Sequence, residues 1–377
     1  MKIVGAVAEF NPFHKGHMYF INAIRSELSP DGIVCIMSGD FTQRGFPAVC
    51  DKWARAKAAL ACGCDLVVEL PTVFCLSSAS DFAYGGIKIL RSLGITDIAF
   101  GSETGESDEL RKLASLDMTD SPAVKEAMAK GLSYPRALAE ALGKDPGPND
   151  ILALEYIRQA EGLGIHAVKR SGLSHHASAS YIRENMGQIE DFVPEEAFFE
   201  LSASKFWDED AEKRLFEMIR YALMMKPSYE LAEIMNISEG LENALKKAVD
   251  GATSIDDIIQ GAKSKRYTYA RISRALMCIV LDMNKELLAE AKESALYARV
   301  LAMNSAGAAI LKNAKELNKG REDGFEIISN LKKTDVMLAK YKDIIETDIQ
   351  AADLYTILTG NRVSDYSDFV QKPGIVI

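Results

Sequence analysis

No apolar run in this sequence approaches the roughly 18 to 20 residues that a membrane-crossing helix requires. The amino-terminal Met1-Lys2-Ile3-Val4-Gly5 reads as a strand and lacks the long apolar segment and small-residue cleavage site of a secretory leader. The expectation is therefore no membrane association and a cytoplasmic location. An excess of basic residues is lacking too: 44 Lys and Arg face 54 Asp and Glu, a net charge of −10. That balance argues against a protein that coats nucleic acid non-specifically, while leaving room for a local basic surface. Cysteine is scarce and lopsided: Cys35, Cys50, Cys62, Cys64 and Cys75 crowd into the first quarter and Cys278 stands alone. Cys62 and Cys64 form a Cys-x-Cys without the second pair that a structural zinc site needs. The thiols are expected to be reduced and mostly buried, with no metal held.

Apolar residues make up 48% of the 377 positions and charged residues 26%, ordinary for a globular chain with room for two domains. The first half alternates compact apolar runs with helical patterns. Strands are expected at Lys2 to Ala8, Gly32 to Met37, Asp65 to Leu70, Asp97 to Phe100 and Gly164 to Lys169. Helices are expected at His17 to Ser29, Lys52 to Ala61 and Asp81 to Leu93. Continuous apolar strands in β-α-β order imply an α/β fold, a doubly wound parallel sheet whose ligands lie beyond the carboxyl ends of the strands. No convincing strand follows residue 195. Ala211 to Met225, Ser254 to Gln260, Tyr269 to Met283 and Lys285 to Met303 all read as helices. The expected organisation is a Rossmann-like domain over 1–188 and an all-helical carboxyl-terminal domain over 189–377.

The first strand runs into Glu9-Phe10-Asn11-Pro12-Phe13-His14-Lys15-Gly16-His17, and a helical pattern opens at once. A helix N-terminus offers unpaired N–H groups and a partial positive charge, which suits phosphate. Gly16 lets backbone and phosphate approach closely. Pro12 fixes the turn and cannot continue the strand. His14 and His17, spaced i, i+3, lie on one helix face and can aim ring N–H donors at one polyphosphate. Two of only five histidines sharing four residues at such a junction favour a phosphate site over two satisfied surface histidines.

His14-Lys15-Gly16-His17 resembles the His-x-Gly-His signature of the adenylyl-transferring α/β superfamily, which includes class I aminoacyl-tRNA synthetases and small nucleotidyltransferases. Longer blocks are similar to the tRNA(Met) cytidine acetate ligase family. They are Ala8 to His14, Met37-Ser38-Gly39-Asp40-Phe41-Thr42-Gln43-Arg44-Gly45, Asp65 to Pro71, Phe100 to Glu103, Asn149 to Leu152 and Ala179 to Arg183, in order over the first 185 residues. The resemblance implies an ATP-dependent ligase in which acetate attacks the α-phosphate. The resulting acetyl-adenylate then gives its acetyl group to N4 of the wobble cytidine of elongator tRNA(Met). It implies ATP as substrate, Mg2+ carried in with it, and His14, Lys15 and His17 as the catalytic group stabilising the transition state. Val7, Ala8, Glu9, Phe10, Asn11, Pro12, Phe13, Gly16 and Phe20 would line the nucleotide.

Further candidates follow the other strands. Gly101 stands where backbone can touch a nucleotide or simply make a turn. Asn149 reads as a helix N-cap, and the resemblance makes it an ATP contact as well. Arg170 ends the last strand with a guanidinium suited to phosphate oxygens. Ser180 and Arg183 resemble the superfamily's second signature, beside the triphosphate. His175 and His176 read as loop residues. Asp40, Gln43 and Arg44, after the second strand, could line the acceptor or pyrophosphate pocket, or serve as turn and surface residues. In the second half, Lys263, Lys265, Arg266, Arg271 and Arg274 surround Tyr267 and Tyr269 without an acid, a pattern that can hold RNA phosphates and stack bases. Two rivals are weighed: a nucleotidyltransferase adenylating a phosphorylated metabolite, usually a compact single domain, and a tRNA-binding protein with a vestigial ATP site. The long helical half and the intact histidine motif count against them. No residue of the sequence presents itself as the general base of acetyl transfer.

Overall fold

The computed structural model describes residues 1–115, 121–130, 132, 134–143, 147–170, 179–294, 296–320, 325–332 and 340–376. Strands β1 (Ile3–Ala8), β2 (Gly32–Ser38), β3 (Leu66–Leu70), β4 (Asp97–Ser102) and β5 (Gly164–Lys169) are mutually parallel in the order β5-β4-β1-β2-β3. This is the doubly wound arrangement expected, and the strand order reverses between β1 and β4, where such sheets open a ligand crevice. The central strands β1, β2 and β3 are mostly apolar because both faces are covered. Ile3, Val34 and Ile36 pack into the core on one face, and Val4, Ala6, Ile33, Cys35 and Met37 into that on the other. Helices α1 (Lys15–Leu28) and α2 (Lys52–Ala61) lie on the second face; α2 is nearly all buried, packed against the Glu195–Ser202 helix. All six cysteines are free and buried. No helix among the described residues is long and apolar enough to cross a membrane.

The second half departs from the all-helical expectation. The helix expected over Lys285 to Met303 ends at Glu293, and β6 (Tyr297–Met303) follows, pairing antiparallel with β3. Strands β7 (Glu326–Ile328) and β8 (Gly374–Ile375) add to the far side of β6. The misreading has a physical cause: a short apolar run has the same appearance in a buried strand and in a buried helix. Arg299, within that run, is fully buried opposite Glu69.

Ion pairs stitch this half into the sheet. Lys52 Nζ, fully buried at the start of α2, donates to Glu69 Oε1 at 2.7 Å and to Asp368 Oδ2 at 2.7 Å. Arg299 donates to the Asp368 carbonyl. Near the crest of β2, the Tyr269–Val280 helix presses on the turn at Gly45. Ser273 Oγ donates to the Gly45 carbonyl at 2.7 Å and Arg274 Nη1 to that of Gln43 at 3.0 Å. Gly45 has a φ of +83°, and a Cβ there would lie 2.3 Å from the Arg274 nitrogen. Gly45→Ala is therefore expected to destabilise the chain by about 1–3 kcal/mol, or more because of the clash. Urea unfolding checks this, and an unchanged midpoint would show that the contact yields without cost.

Candidate active site

The chain turns sharply at the crest of β1. Phe10 takes a left-handed φ of 46° and the Asn11–Pro12 peptide is cis. Arg55, fully buried on α2, anchors this crest to the next. Its Nη1 donates to the Glu9 carbonyl at 2.8 Å and to that of Ser38 at 3.1 Å, its Nε to that of Cys50 at 3.0 Å, and its Nη2 to that of Gly39. Asn11 Oδ1 accepts the Val49 N–H at 2.8 Å, and Arg183 Nη1 donates to the Asn11 carbonyl at 3.0 Å. Phe10 and Phe13 are buried and pack their rings against that of His17, which orients it from behind.

The two histidines stack, ring centroids 3.7 Å apart and planes 16° from parallel. His14 is the N-cap of α1: its Nδ1 accepts the N–H groups of Gly16 at 3.0 Å and His17 at 3.3 Å. His17 Nδ1 in turn accepts the His14 N–H at 3.2 Å. With both Nδ1 atoms accepting, each neutral ring carries its proton on Nε2. Burial, and then the nearby charges of Arg170 and Arg183, hold His14 down to about 4. Burial, His14 and Arg170 hold His17 well below its ordinary value. The pair is thus two neutral, oriented Nε2–H donors.

This geometry revises two expectations about the motif. The N–H groups of the first helical turn are not left for an anion: those of Gly16 and His17 go to the His14 ring, and that of Lys15 to the Phe192 carbonyl at 3.0 Å. Gly16 is required by the same ring, since a Cβ there would lie 2.9 Å from His14 Cε1. Lys15 itself is exposed, its Nζ on the Asp191 carbonyl at 2.8 Å.

Other sequence candidates gather around the pair. Gly101, at the crest of β4, faces Arg170, and among the described residues a Cβ there would meet only Arg170 Cγ at 3.8 Å. Arg170 is exposed beyond β5, its backbone continuing the ladder to the Ser102 carbonyl. Val7, Ala8 and Glu9 are half-buried along the crest, as is Phe20 on α1. Asn149 is inside the first turn of the Gly147–Gln159 helix rather than its N-cap. The cap comes from across the crevice: Glu103 Oε1 accepts the Asn149 N–H and side-chain amide, and Glu103 Oε2 accepts the Asp150 N–H at 2.9 Å. Asp150 returns the tie, taking Ser102 Oγ and the Glu103 N–H. Sequence reading assigned no role to Arg55, Glu103 or Asp150, because their partners are carbonyls and N–H groups remote in the chain. The Ser180 side chain, His175 and His176 lie outside the described residues.

Of the candidate acceptor pocket, Asp40 is buried, pushed up to about 6 by burial, and its Oδ1 accepts the Lys52 N–H at 2.8 Å. Gln43 donates its N–H to Glu9 Oε1 at 2.8 Å, and Arg44 is exposed. The basic stretch divides. Arg271 turns to Ser238 Oγ and the Asn236 carbonyl, Arg274 to the Gln43 carbonyl, and Tyr267 packs inward with its hydroxyl on the Glu239 carbonyl. Lys263, Lys265 and Arg266 remain exposed. The inward residues satisfy carbonyls at turns, a duty that an acid-free run does not reveal.

Residues 1–368 match the HIGH Nucleotidyl Transferase family. The chain is 36% identical to a tRNA(Met) cytidine acetate ligase of Clostridium perfringens, over 99% of both chains. It is 33% identical to one of a Thermoanaerobacter species, over 98% of both. Among solved structures it is similar to Thermotoga maritima TmcAL bound with alpha-thio ATP, with a TM-score of 0.87, 30% identity and full coverage of both chains.

The depressed histidines carry a pH signature. Between about 4 and the ordinary 6.5 the unfolded chain binds a proton that folded His14 refuses. The stability this contributes is whole above 6.5 and declines as pH falls towards 4. His14→Asn, whose side-chain oxygen can still cap α1, should flatten that decline by up to about 1.4 kcal/mol per pH unit. Urea unfolding from pH 7 to 4.5 measures it, and equal slopes for the two proteins would contradict the assignment.

Proposed function

The chain belongs to the HIGH nucleotidyl transferase family and, within it, to the tRNA(Met) cytidine acetate ligases; on that premise we propose that it activates acetate with ATP and acetylates N4 of the wobble cytidine of elongator tRNA(Met). The observation that carries this reading is the stacked His14–His17 pair, set at the reversal of strand order, with neither Nε2–H bound to any described residue. Attack of acetate on the α-phosphate needs alignment and charge stabilisation, not a protein nucleophile. Neutral donors suit that task, since they stabilise developing charge without giving up a proton.

Nucleotide would lie across the crests of β1, β4 and β5, over Gly101, with Arg170 and Arg183 supplying the cationic charge that the neutral histidines do not. Asn149 would meet it from the first turn of its helix. Lys15, within reach of the same crest, would leave Asp191 for the polyphosphate. Mg2+ would arrive on the triphosphate, as a hard cation that keeps most of its ligands as phosphate and water. Among the described residues no group of three or more His, Cys, Asp or Glu comes together to hold it. The RNA surface would be narrower than the basic stretch: Lys263, Lys265 and Arg266, continued by Arg44 on the crest loop.

Two measurements test this. Labelled acetate should appear on elongator and not on initiator methionine tRNA, and only with ATP; ATP cleavage without labelled tRNA would overturn the assigned acceptor. Lys265→Ala with Arg266→Ala should weaken tRNA binding and lower its salt slope by roughly two. An unchanged slope would place the RNA elsewhere.

A further inference from the structure

We infer that Glu9 is the general base of the acetyl-transfer step, an inference that rests on the ligase reading above. A base must have a lone pair to offer, which excludes most of the described groups around the crevice. His14 and His17 carry their protons on Nε2 and have Nδ1 committed to backbone N–H groups, so neither can accept a proton. Arg170 and Arg183 are cations. Asp40 is buried beneath the crest, on the Lys52 N–H. Glu103 spends both oxygens on Asn149 and Asp150. Among the described residues, Glu9 is the carboxylate that remains on the crest, half-buried rather than sealed.

It is also held in place at both ends. Its carbonyl is fixed by Arg55 Nη1 at 2.8 Å, and its Oε1 by the Gln43 N–H at 2.8 Å. Gln43 is braced in turn by Arg274 at 3.0 Å. No donor among the described residues reaches Oε2. The carboxylate thus stands between the nucleotide side of β1 and the β2 crest loop bearing exposed Arg44, behind which the basic segment lies. A fixed negative charge there opposes the binding of acetate and polyphosphate. It favours the later step, in which positive charge develops on an attacking amine. In that step the cytidine N4 bonds to the acetyl carbon, and the bond from that carbon to the phosphate oxygen breaks with its electron pair leaving on AMP. One N4 proton passes to Glu9 Oε2.

The test is Glu9→Gln, whose amide oxygen can still accept the Gln43 N–H. Single-turnover transfer from synthetic acetyl-adenylate to elongator tRNA is compared with acetate-dependent ATP–pyrophosphate exchange. Transfer should fall by about 100-fold or more and lose the acidic limb of its pH profile, while exchange falls by much less. Parallel losses in the two assays, a wild-type transfer rate, or a retained acidic limb would each overturn the inference alone. Absence of exchange in the wild-type protein would take down the ligase reading with it.

Discussion

A single buried guanidinium determines how the two central crests meet. Arg55 donates to carbonyls at Glu9, Ser38, Gly39 and Cys50, which no other described residue pulls together. Main-chain carbonyls at the ends of parallel strands have no ladder partner, and leaving them buried and unmet would cost as much as a lost hydrogen bond each. A planar fork with five donors meets several at once; an ammonium on a flexible stem has neither the number nor the geometry. The turn through Phe10 and Pro12, the histidine stack beyond it and the Glu9 side chain all hang from the crest so fixed.

Above that anchor, the site is built by exchanging the usual duties of backbone and side chain. A helix N-terminus ordinarily meets an anion with its own N–H groups. Here the ring of His14 takes those groups, and the donors presented outward are ring Nε2–H instead. Each ring fixes the other's tautomer through the backbone, so the donors need no reorganisation when charge develops. On the far side of the crevice Glu103 caps a helix that it does not belong to, tying β4 to Asn149. Both walls are thereby tied by hydrogen bonds before any ligand arrives.

How much of this the sequence disclosed follows from where the partners lie. The five parallel strands were legible because burial writes most of each as one apolar run, and Gly164 to Lys169 matched to the residue. His14 and His17 were legible because their spacing and rarity are local facts. Their capping role was not, since nothing in the spacing says which atom of the ring faces the backbone. Arg271 and Arg274 read as an RNA surface because a charge without a neighbouring acid is ordinarily solvated; their acceptors lie at Asn236, Ser238 and Gln43, up to 231 positions away. Arg299 hid a strand for the same reason, its guanidinium donating to the carbonyl of Asp368, 69 positions away.

Lys52 extends that reach across the sequence. Its ammonium, wholly buried, is paired with Glu69 on β3 and with Asp368, 316 positions further along. A buried ion pair missing one partner costs about 3–5 kcal/mol, a large share of the roughly 5–15 kcal/mol that holds a domain together. The segment around Asp368 therefore helps to seat α2, and with it Arg55, so that damage to a stretch remote from the histidines would be felt at the crest that carries them.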